Sequence, residues 1–253
     1  MICDGKVAVA ISKNLIYNHI KENKMKLTIL GKYGPYPQDN NTACSGYLVE
    51  EDDVKILVDC GSGVLGRLKS IINLHELNAI YLTHLHFDHT SDILPLRYLL
   101  DDLGIKLKII THVTNTEYCN ILLNHPRFEI IDINDTSTIS IGNLKLSFYK
   151  LEHPVINHGI VIESKVKLGI TGDTIYCENV LNMARNCDYL LADCSKPIGF
   201  KGPHMSADKA ISIAQQTGVT IFATHATPNK STDHLFDNYP NVIPVEELKT
   251  YQL

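Results

Sequence analysis

The sequence predicts an α/β protein in which two β-sheets pack together and are covered by helices. Two observations lead to this prediction. Short apolar runs follow one another in meander-like series in each half of the chain, and segments with helical periodicity lie between them. The chain shows no internal repeat and no low-complexity linker. With 253 residues, of which 44% are hydrophobic, it is long enough to bury such a core.

The first half of the chain carries six predicted strands, rich in β-branched and aromatic residues, at residues 26–31, 45–50, 54–59, 79–82, 106–111 and 128–133. Helices are predicted after the third, fourth and fifth of these strands, at residues 64–68, 92–103 and 116–123. The turn at residues 59–63 contains two glycines, which allow a sharp reversal between strand and helix.

The second half is predicted to contain two hairpins, at residues 139–146 and 159–171, the first with Gly-Asn at its turn. A helix at 180–185, a buried strand at 189–193, a helix at 207–217 and a strong strand at 219–224 follow in that order. Ser206 is a typical first residue and Gly218 a typical stop for the last helix. Residues 1–24 are rich in Asn and Lys without periodicity, so we interpret them as an N-terminal extension to a domain at residues 25–253.

Composition indicates a cytoplasmic protein without a membrane partner. The seven cysteines are odd in number and lack CxxC spacing, which fits a reducing compartment better than a disulfide framework. No apolar run approaches the length needed to cross a bilayer, and the N-terminal apolar run lacks the usual cleavage site of a signal peptide. The net charge of -5 argues against a strongly basic nucleic-acid surface.

The densest cluster of potential metal ligands follows the predicted strand at 79–82. Three imidazoles and a carboxylate occur within six residues, at His84, His86, Asp88 and His89. Four potential ligands at the end of a buried strand are hard to explain by packing, because each buried polar group without a partner costs about 1–3 kcal/mol. Buried charges are paired or coordinate metals, so the cluster predicts a metal site, with spacing that suits two ions.

Such a site needs further ligands from elsewhere in the chain. His153, Asp173 and His225 each follow a predicted strand, and each alone would more often be structural. Together they complete two sets of ligands. Asp59 also ends a strand, either as a helix cap or as a group that orients a metal-bound imidazole.

The motif at residues 84–89, followed along the chain by His153, Asp173 and His225, resembles the ligand motif of the metallo-β-lactamase superfamily of binuclear metal hydrolases. The resemblance extends from Met25 to about the C-terminus. The resemblance implies an α/β fold of the αββα four-layer sandwich type, with the site at one edge of the two sheets. Asp59 corresponds to the strand-end Asp beneath the metals in that family. The resemblance also implies ligands for two zinc ions, with manganese or iron as alternatives: His84, His86 and His153 for one, Asp88, His89 and His225 for the other, and Asp173 as the bridge.

The segment at residues 202–210 resembles the Gly-His-Ser/Met-x-x-x-x-Ala segment of ribonuclease Z and related phosphodiesterases. In that branch the histidine stands near the scissile phosphate as proton donor or oxyanion partner. The resemblance therefore implies that Asp88 and His204 are catalytic residues, the alternative for His204 being a solvent-exposed loop histidine. His158 is a further candidate for contact with the substrate.

The chain departs from ribonuclease Z in two respects. Residues 153–173 leave no room for a long tRNA-gripping arm, and residues 34–41 lack the basic loop residues of the tRNA-cutting enzymes. A small phosphodiester, such as a cyclic nucleotide or a phospho-alcohol, is thus at least as plausible a substrate as RNA, and a homodimer is a family expectation. Two alternatives stay open: a thioesterase or lactonase of glyoxalase II or lactonase type, and a metal-stabilised binding module without catalysis.

Overall fold

The structure is a computed structural model that describes residues 24–253. The strands of this part of the chain are β1 (Lys26–Gly31), β2 (Gly46–Glu51), β3 (Val54–Val58), β4 (Ala79–Tyr81), β5 (Leu107–Thr111), β6 (Phe128–Asp132), β7 (Thr138–Ile141), β8 (Leu144–Leu151), β9 (Asn157–Glu163), β10 (Lys167–Ile170), β11 (Tyr189–Asp193), β12 (Thr220–Thr224), β13 (Val242–Pro244) and β14 (Thr250–Gln252). The α-helices are α1 (Val64–Ile71), α2 (Phe87–Thr90), α3 (Ile93–Leu103), α4 (Glu117–Leu123), α5 (Glu178–Arg185) and α6 (Ala207–Thr217). Two 3₁₀ helices lie at Leu74–Glu76 and Asp233–Phe236.

The strands form two seven-stranded sheets with the orders β14-β1-β2-β3-β4-β5-β6 and β13-β12-β11-β10-β9-β8-β7. In the first sheet β1 to β3 form an antiparallel meander and β3 to β6 run parallel. In the second, β7 to β10 form the meander and β10 to β13 run parallel. Parallel neighbours need crossover connections, and this is where most of the helices lie. The predicted fold class is confirmed.

Three apolar clusters produce the four layers. The central one joins inward-facing residues of both sheets, and the Tyr81 and Phe148 rings meet across it at 5.3 Å between centroids. A second packs the outer face of the first sheet against α1, α3 and α4, through residues such as Leu68 and Leu96. The third packs the second sheet against α5 and α6, through residues such as Met183 and Ile213. Each sheet is thus buried on both faces, and a functional site can lie only at its edges or at the ends of its strands.

The sequence missed two strands, β13 and β14. Each has three residues and lies at the edge of its sheet, so neither shows a periodicity that can be read. β14 pairs antiparallel with β1, with Gln252 opposite Lys26, and so returns the C-terminal segment to the first sheet. The predicted extension at residues 1–24 lies outside the described residues except for Lys24.

In the part of the chain that the structure describes, no helix has the length and apolarity required to span a bilayer.

The C-terminal segment is tied to α1 by a partly buried ion pair. Arg67 Nη1 lies 2.7 Å from Glu247 Oε1, and the Ala43 amide donates to the same oxygen at 2.9 Å. Arg67 also donates to the carbonyl oxygens of Leu30 and Asn41. One carboxylate therefore holds a helix, a loop and the C-terminal segment together.

We expect Glu247→Gln to lower the free energy of unfolding by about 2 kcal/mol, because a shielded guanidinium loses its charged partner. Urea denaturation would measure the change. Glu246→Gln is the matched control, since its pair with Lys249 is exposed and should contribute little. Equal effects of the two substitutions would contradict this account of the ion pair.

Candidate metal centre

The histidine-rich motif begins beyond the end of β4 and continues into α2. His84 and His86 precede α2, with His86 in extended conformation, whereas Asp88 and His89 belong to the short helix α2 itself. The Thr90 hydroxyl donates to the His86 carbonyl oxygen at 2.8 Å, which fixes the turn between the two halves. The change of backbone conformation divides the motif, so that its two halves contribute to different groups of side chains.

The first group consists of His84, His86, His153 and Asp173. His86 Nδ1 lies 3.0 Å from His84 Nε2 and 3.2 Å from His153 Nε2. Ligand atoms at about 2.1 Å from a tetrahedral ion lie about 3.4 Å from one another. These separations therefore suit a single small cation held between the three rings.

The second group consists of Asp88, His89, Asp173 and His225. His225 Nε2 lies 3.4 Å from Asp88 Oδ2, and His89 Nε2 lies 3.8 Å from the same oxygen. All four side chains are at least nine-tenths buried. The group has the size and donor chemistry of a second cation site.

Asp173 belongs to both groups and turns one carboxylate oxygen toward each. Oδ2 faces the first group, at 3.7 Å from His84 Nε2 and 4.0 Å from His153 Nε2. Oδ1 faces the second group, at 3.2 Å from both His89 Nε2 and His225 Nε2. A carboxylate in this orientation could bridge two cations.

Several buried polar atoms of this region have no hydrogen-bond partner among the described residues. They include His89 Nε2 and Asp173 Oδ1, which lie 3.2 Å apart without the geometry of a hydrogen bond. Leaving such atoms unpaired is costly, and a cation bound between them would satisfy both. The residues present therefore fit the divalent metal ions that their chemistry suggests.

The protonation states of the three histidines in the first group also suit metal binding. Burial lowers the pKa of His84 well below its usual value, with the charge of His89 adding to the effect. Burial likewise lowers the pKa of His86, and it lowers that of His153 to about 4. Neutral imidazole is the form that binds a metal, so these rings have the required form near neutral pH.

The second group combines two carboxylates with two imidazoles. Burial favours neutral His89, but the charges of Asp173 and Asp59 outweigh it and raise the pKa of His89 well above its usual value. Burial works against the charged form of Asp173, yet His225 and His89 hold its pKa well below the usual range. The group thus concentrates negative charge that a cation could balance in place of the proton on His89.

Asp59, at the C-terminal end of β3, orients His89. Its Oδ2 lies 2.7 Å from His89 Nδ1, and its Oδ1 accepts the Thr83 amide proton at 2.9 Å. Asp59 and His225 both have positive φ, at 59° and 60°. Non-glycine residues in this region cost about 1–3 kcal/mol each, and such strain concentrates at functional sites. Of the two interpretations offered for Asp59, this geometry favours the orienting role.

His204 lies beside the two groups and is paired with a residue that the sequence analysis missed. His204 Nδ1 is 2.8 Å from Asp193 Oδ2, and Asp193 is the last residue of β11. Burial, opposed by His225 and assisted by Asp173, raises the pKa of Asp193 to about 8. The position of Asp193 at the end of a buried strand, between those that precede Asp173 and His225, was the signal that could have found it.

Asp193 and His204 also form a third potential metal-binding group with Asp173 and His225. This group shares two members with the second one. The third group arises from the close packing of the site, because Asp193 and His204 already form a hydrogen bond with each other.

The cavity above these groups has a volume of about 350 Å³. Its lining combines imidazoles, carboxylates, prolines and a phenylalanine: Pro35, His86, Phe87, Asp88, His153, Pro154, Asp173, Pro203, His204 and His225. Among the described residues that line it, none is a lysine or an arginine. The cavity is of a size typical for small-molecule sites.

His158 was predicted to contact the substrate, but the structure does not bring it to the cavity. Its side chain is buried, packs 5.3 Å from the His112 ring between centroids, and is not one of the described residues that line the cavity. The reason is strand alternation in β9, where its carbonyl oxygen accepts the Tyr81 hydroxyl at 2.6 Å.

Comparison with known proteins gives this arrangement a family. A sequence profile for the β-lactamase superfamily domain matches residues 54–225, a span that begins at β3 and ends at His225. The chain belongs to the metallo-β-lactamase superfamily.

Relatives within the superfamily include hydrolases. The chain is 28% identical to the probable metallo-hydrolase YhfI of Bacillus subtilis over 236 residues, covering 86% of this chain and 96% of YhfI. The YhfI crystal structure matches with a TM-score of 0.85, over 91% of this chain and all of that one. Ribonuclease Z of Methanopyrus kandleri is 30% identical over 136 residues, which cover 53% of this chain and 48% of that protein.

A diphosphatase from the PhnP family shares the fold, with a TM-score of 0.73 at 16% identity over 91% of this chain and 98% of that one. Membership makes this chain a metallo-hydrolase with ribonuclease Z among its relatives. Its histidine and aspartate groups could hold the divalent metal that the family implies.

Gly34 packs directly against His225 and Asp88 of the second group, which leaves no room for a side chain at this position. A Cβ atom at Gly34 would lie 2.1 Å from His225 Nε2 and 2.8 Å from Asp88 Oδ2. We expect Gly34→Ala to displace His225 and to weaken divalent-cation binding about tenfold or more. Equilibrium dialysis followed by elemental analysis would measure the affinity.

Gly66→Ala is the matched control, because a Cβ there meets nothing within 4 Å and the residue lies in α1. It should keep the cation affinity of the unmodified chain. Unchanged affinity in folded Gly34→Ala protein would show that His225 is not needed where the structure puts it.

Proposed function

We propose that this chain hydrolyses phosphodiester bonds in small molecules, using two divalent cations. His84, His86 and His153 would hold one cation, Asp88, His89 and His225 would hold the other, and Asp173 would contribute to both sites. Zinc is the metal that this donor set favours, with manganese or iron as alternatives. The observation that carries the proposal is the 2.8 Å contact between His204 and Asp193 at the wall of the same cavity.

Phosphodiester hydrolysis requires a proton for the departing oxygen. Because Asp193 occupies Nδ1 of His204, Nε2 is the nitrogen left to meet a substrate in the cavity. The ring is 18% exposed, so it can reach a bound molecule without being free to rotate into solvent. His204 would give its Nε2 proton to the leaving alkoxide and take up at Nδ1 the proton that Asp193 holds, since burial raises the pKa of that carboxyl to about 8.

Divalent cations bound in these groups would supply two effects: they would activate a water and stabilise negative charge on the phosphate oxygens. The chain's own residues set the geometry around them. Asp59 fixes His89 through its Nδ1, and the Pro203 carbonyl oxygen lies 3.1 Å from His153 Nδ1. Second partners of this kind hold ligating imidazoles in one orientation.

Cavity size and charge support a small substrate over RNA. RNA binding draws much of its affinity from lysines and arginines that neutralise several phosphates. The described residues lining the 350 Å³ cavity include neither. A single phosphodiester, by contrast, needs only the cations to balance its charge.

Removing the cations should abolish activity. We expect the metal-loaded chain to hydrolyse bis-p-nitrophenyl phosphate, to lose that activity after chelation, and to regain it with zinc or manganese. Elemental analysis of the active protein should give about two ions per chain. Turnover that persists in metal-free protein, or a complete lack of metal-dependent turnover, would contradict the proposal.

The effect of removing His204 on kcat should depend on the leaving group of the substrate. We expect His204→Ala to lower kcat by about 10²-fold or more for a diester with an alkoxide leaving group, but far less for p-nitrophenolate, which leaves without a proton. Asp193→Asn should show the same pattern more weakly. An equal loss on both substrates would argue that His204 only supports the fold of the site.

The same variant distinguishes the proposed phosphodiesterase from the two alternative functions. A thioesterase or lactonase would hydrolyse thioesters or lactones, and that turnover would survive His204→Ala. A binding module without catalysis would retain cations yet hydrolyse no member of an ester panel. Either result would replace the phosphodiesterase assignment.

A further inference from the structure

Phe87 is a large apolar side chain in an unusual position. It lies between the candidate ligands His86 and Asp88, lines the cavity, and remains 69% exposed. Exposed apolar residues scattered over a surface need no explanation. A phenylalanine on the wall of a polar, cation-binding cavity is different, because a smaller or polar residue could occupy the first position of α2 at no cost to the core.

The ring of Phe87 is held in place from behind. It meets the Tyr118 ring edge-to-face, with centroids 4.9 Å apart and planes at 84°. The Tyr118 hydroxyl in turn lies 2.7 Å from the Thr90 hydroxyl, which donates to the His86 carbonyl oxygen. Edge-to-face packing fixes the ring while most of its surface stays available. Phe87 therefore has a fixed position beside the candidate metal ligands.

The rest of the cavity wall is also suited to a flat, uncharged group. Apolar side chains line it from three other loops, at Pro35, Pro154 and Pro203. Exposed apolar residues neighbour these prolines in the chain, at Tyr36, Val155 and Ile156. The cavity thus pairs a cation-binding floor with an apolar wall.

We propose that Phe87 is a specificity-determining residue that stacks against the nucleobase of a mononucleotide-sized phosphodiester. The inference rests on the proposed function, because the phosphate must lie at the cations for the base to reach Phe87. A nucleobase is flat and uncharged, and stacking on aromatic side chains is sequence-tolerant and worth about tenfold or more in affinity per base. The enzyme would then select substrates by a single base next to the scissile phosphate.

Binding of two product-like ligands tests this directly. Adenosine 5′-monophosphate and ribose 5-phosphate carry the same phosphate and sugar, and ribose 5-phosphate has a hydroxyl at C1′ in place of the base. Titration calorimetry on the metal-loaded chain should show the nucleotide binding about tenfold tighter or more. In Phe87→Ala that ratio should fall to near one, whereas Phe87→Tyr should keep it.

Tyr98→Ala is the matched control, since Tyr98 is an aromatic residue of α3 that is 77% exposed and is not among the described residues lining the cavity. It should keep the full preference for the nucleotide. Circular dichroism would verify that each variant is folded.

Equal affinities in the unmodified chain, binding of neither ligand, or a preference that survives Phe87→Ala would each overturn the inference. These results differ from failure of the proposed function, which is an absence of turnover on every phosphodiester. The calorimetric ratio stays measurable in that case, because neither ligand is a diester and neither has to be hydrolysed.

Discussion

The site depends on one constraint: the carboxyl ends of strands from both sheets must meet at the same edge of the sandwich. Asp59 and His84 follow strands of the first sheet, whereas Asp173 and His225 follow strands of the second. The buried carboxylate of Asp173 lies within 3.2 to 4.0 Å of five imidazoles drawn from the two sheets. Such a concentration of buried polar groups is costly unless cations balance it, and the apolar contacts between the two sheets offset part of that cost.

Most of the fold could be predicted, because burial imposes a readable pattern on the sequence. β1 was predicted at its observed bounds, and the helix at Ala207–Thr217 is flanked by Ser206 and Gly218 as expected. The two strands that were missed are short edge strands, whose position is decided by pairing with a neighbour and not by their own residues. Local patterns cannot report that kind of tertiary choice.

The site could be predicted in part for a related reason. Ligand types at strand ends are visible in the sequence, and the structure brings His153, Asp173 and His225 to the motif at residues 84–89. Asp193 was missed because one acidic residue at a strand end has many explanations until its partner His204 is seen beside it. Gly34 could not have been found, since a close approach between distant loops leaves no trace in local sequence. His158 failed because strand alternation turned it away from the cavity.

Anomalous diffraction from crystals grown with zinc tests the central claim most directly. The account predicts two peaks per chain, one at about 2.1 Å from ring nitrogens of His84, His86 and His153, the other beside Asp88, His89 and His225, with an oxygen of Asp173 near each. A single peak elsewhere, or His153, Asp173 and His225 turned away from the residues at 84–89, would contradict it.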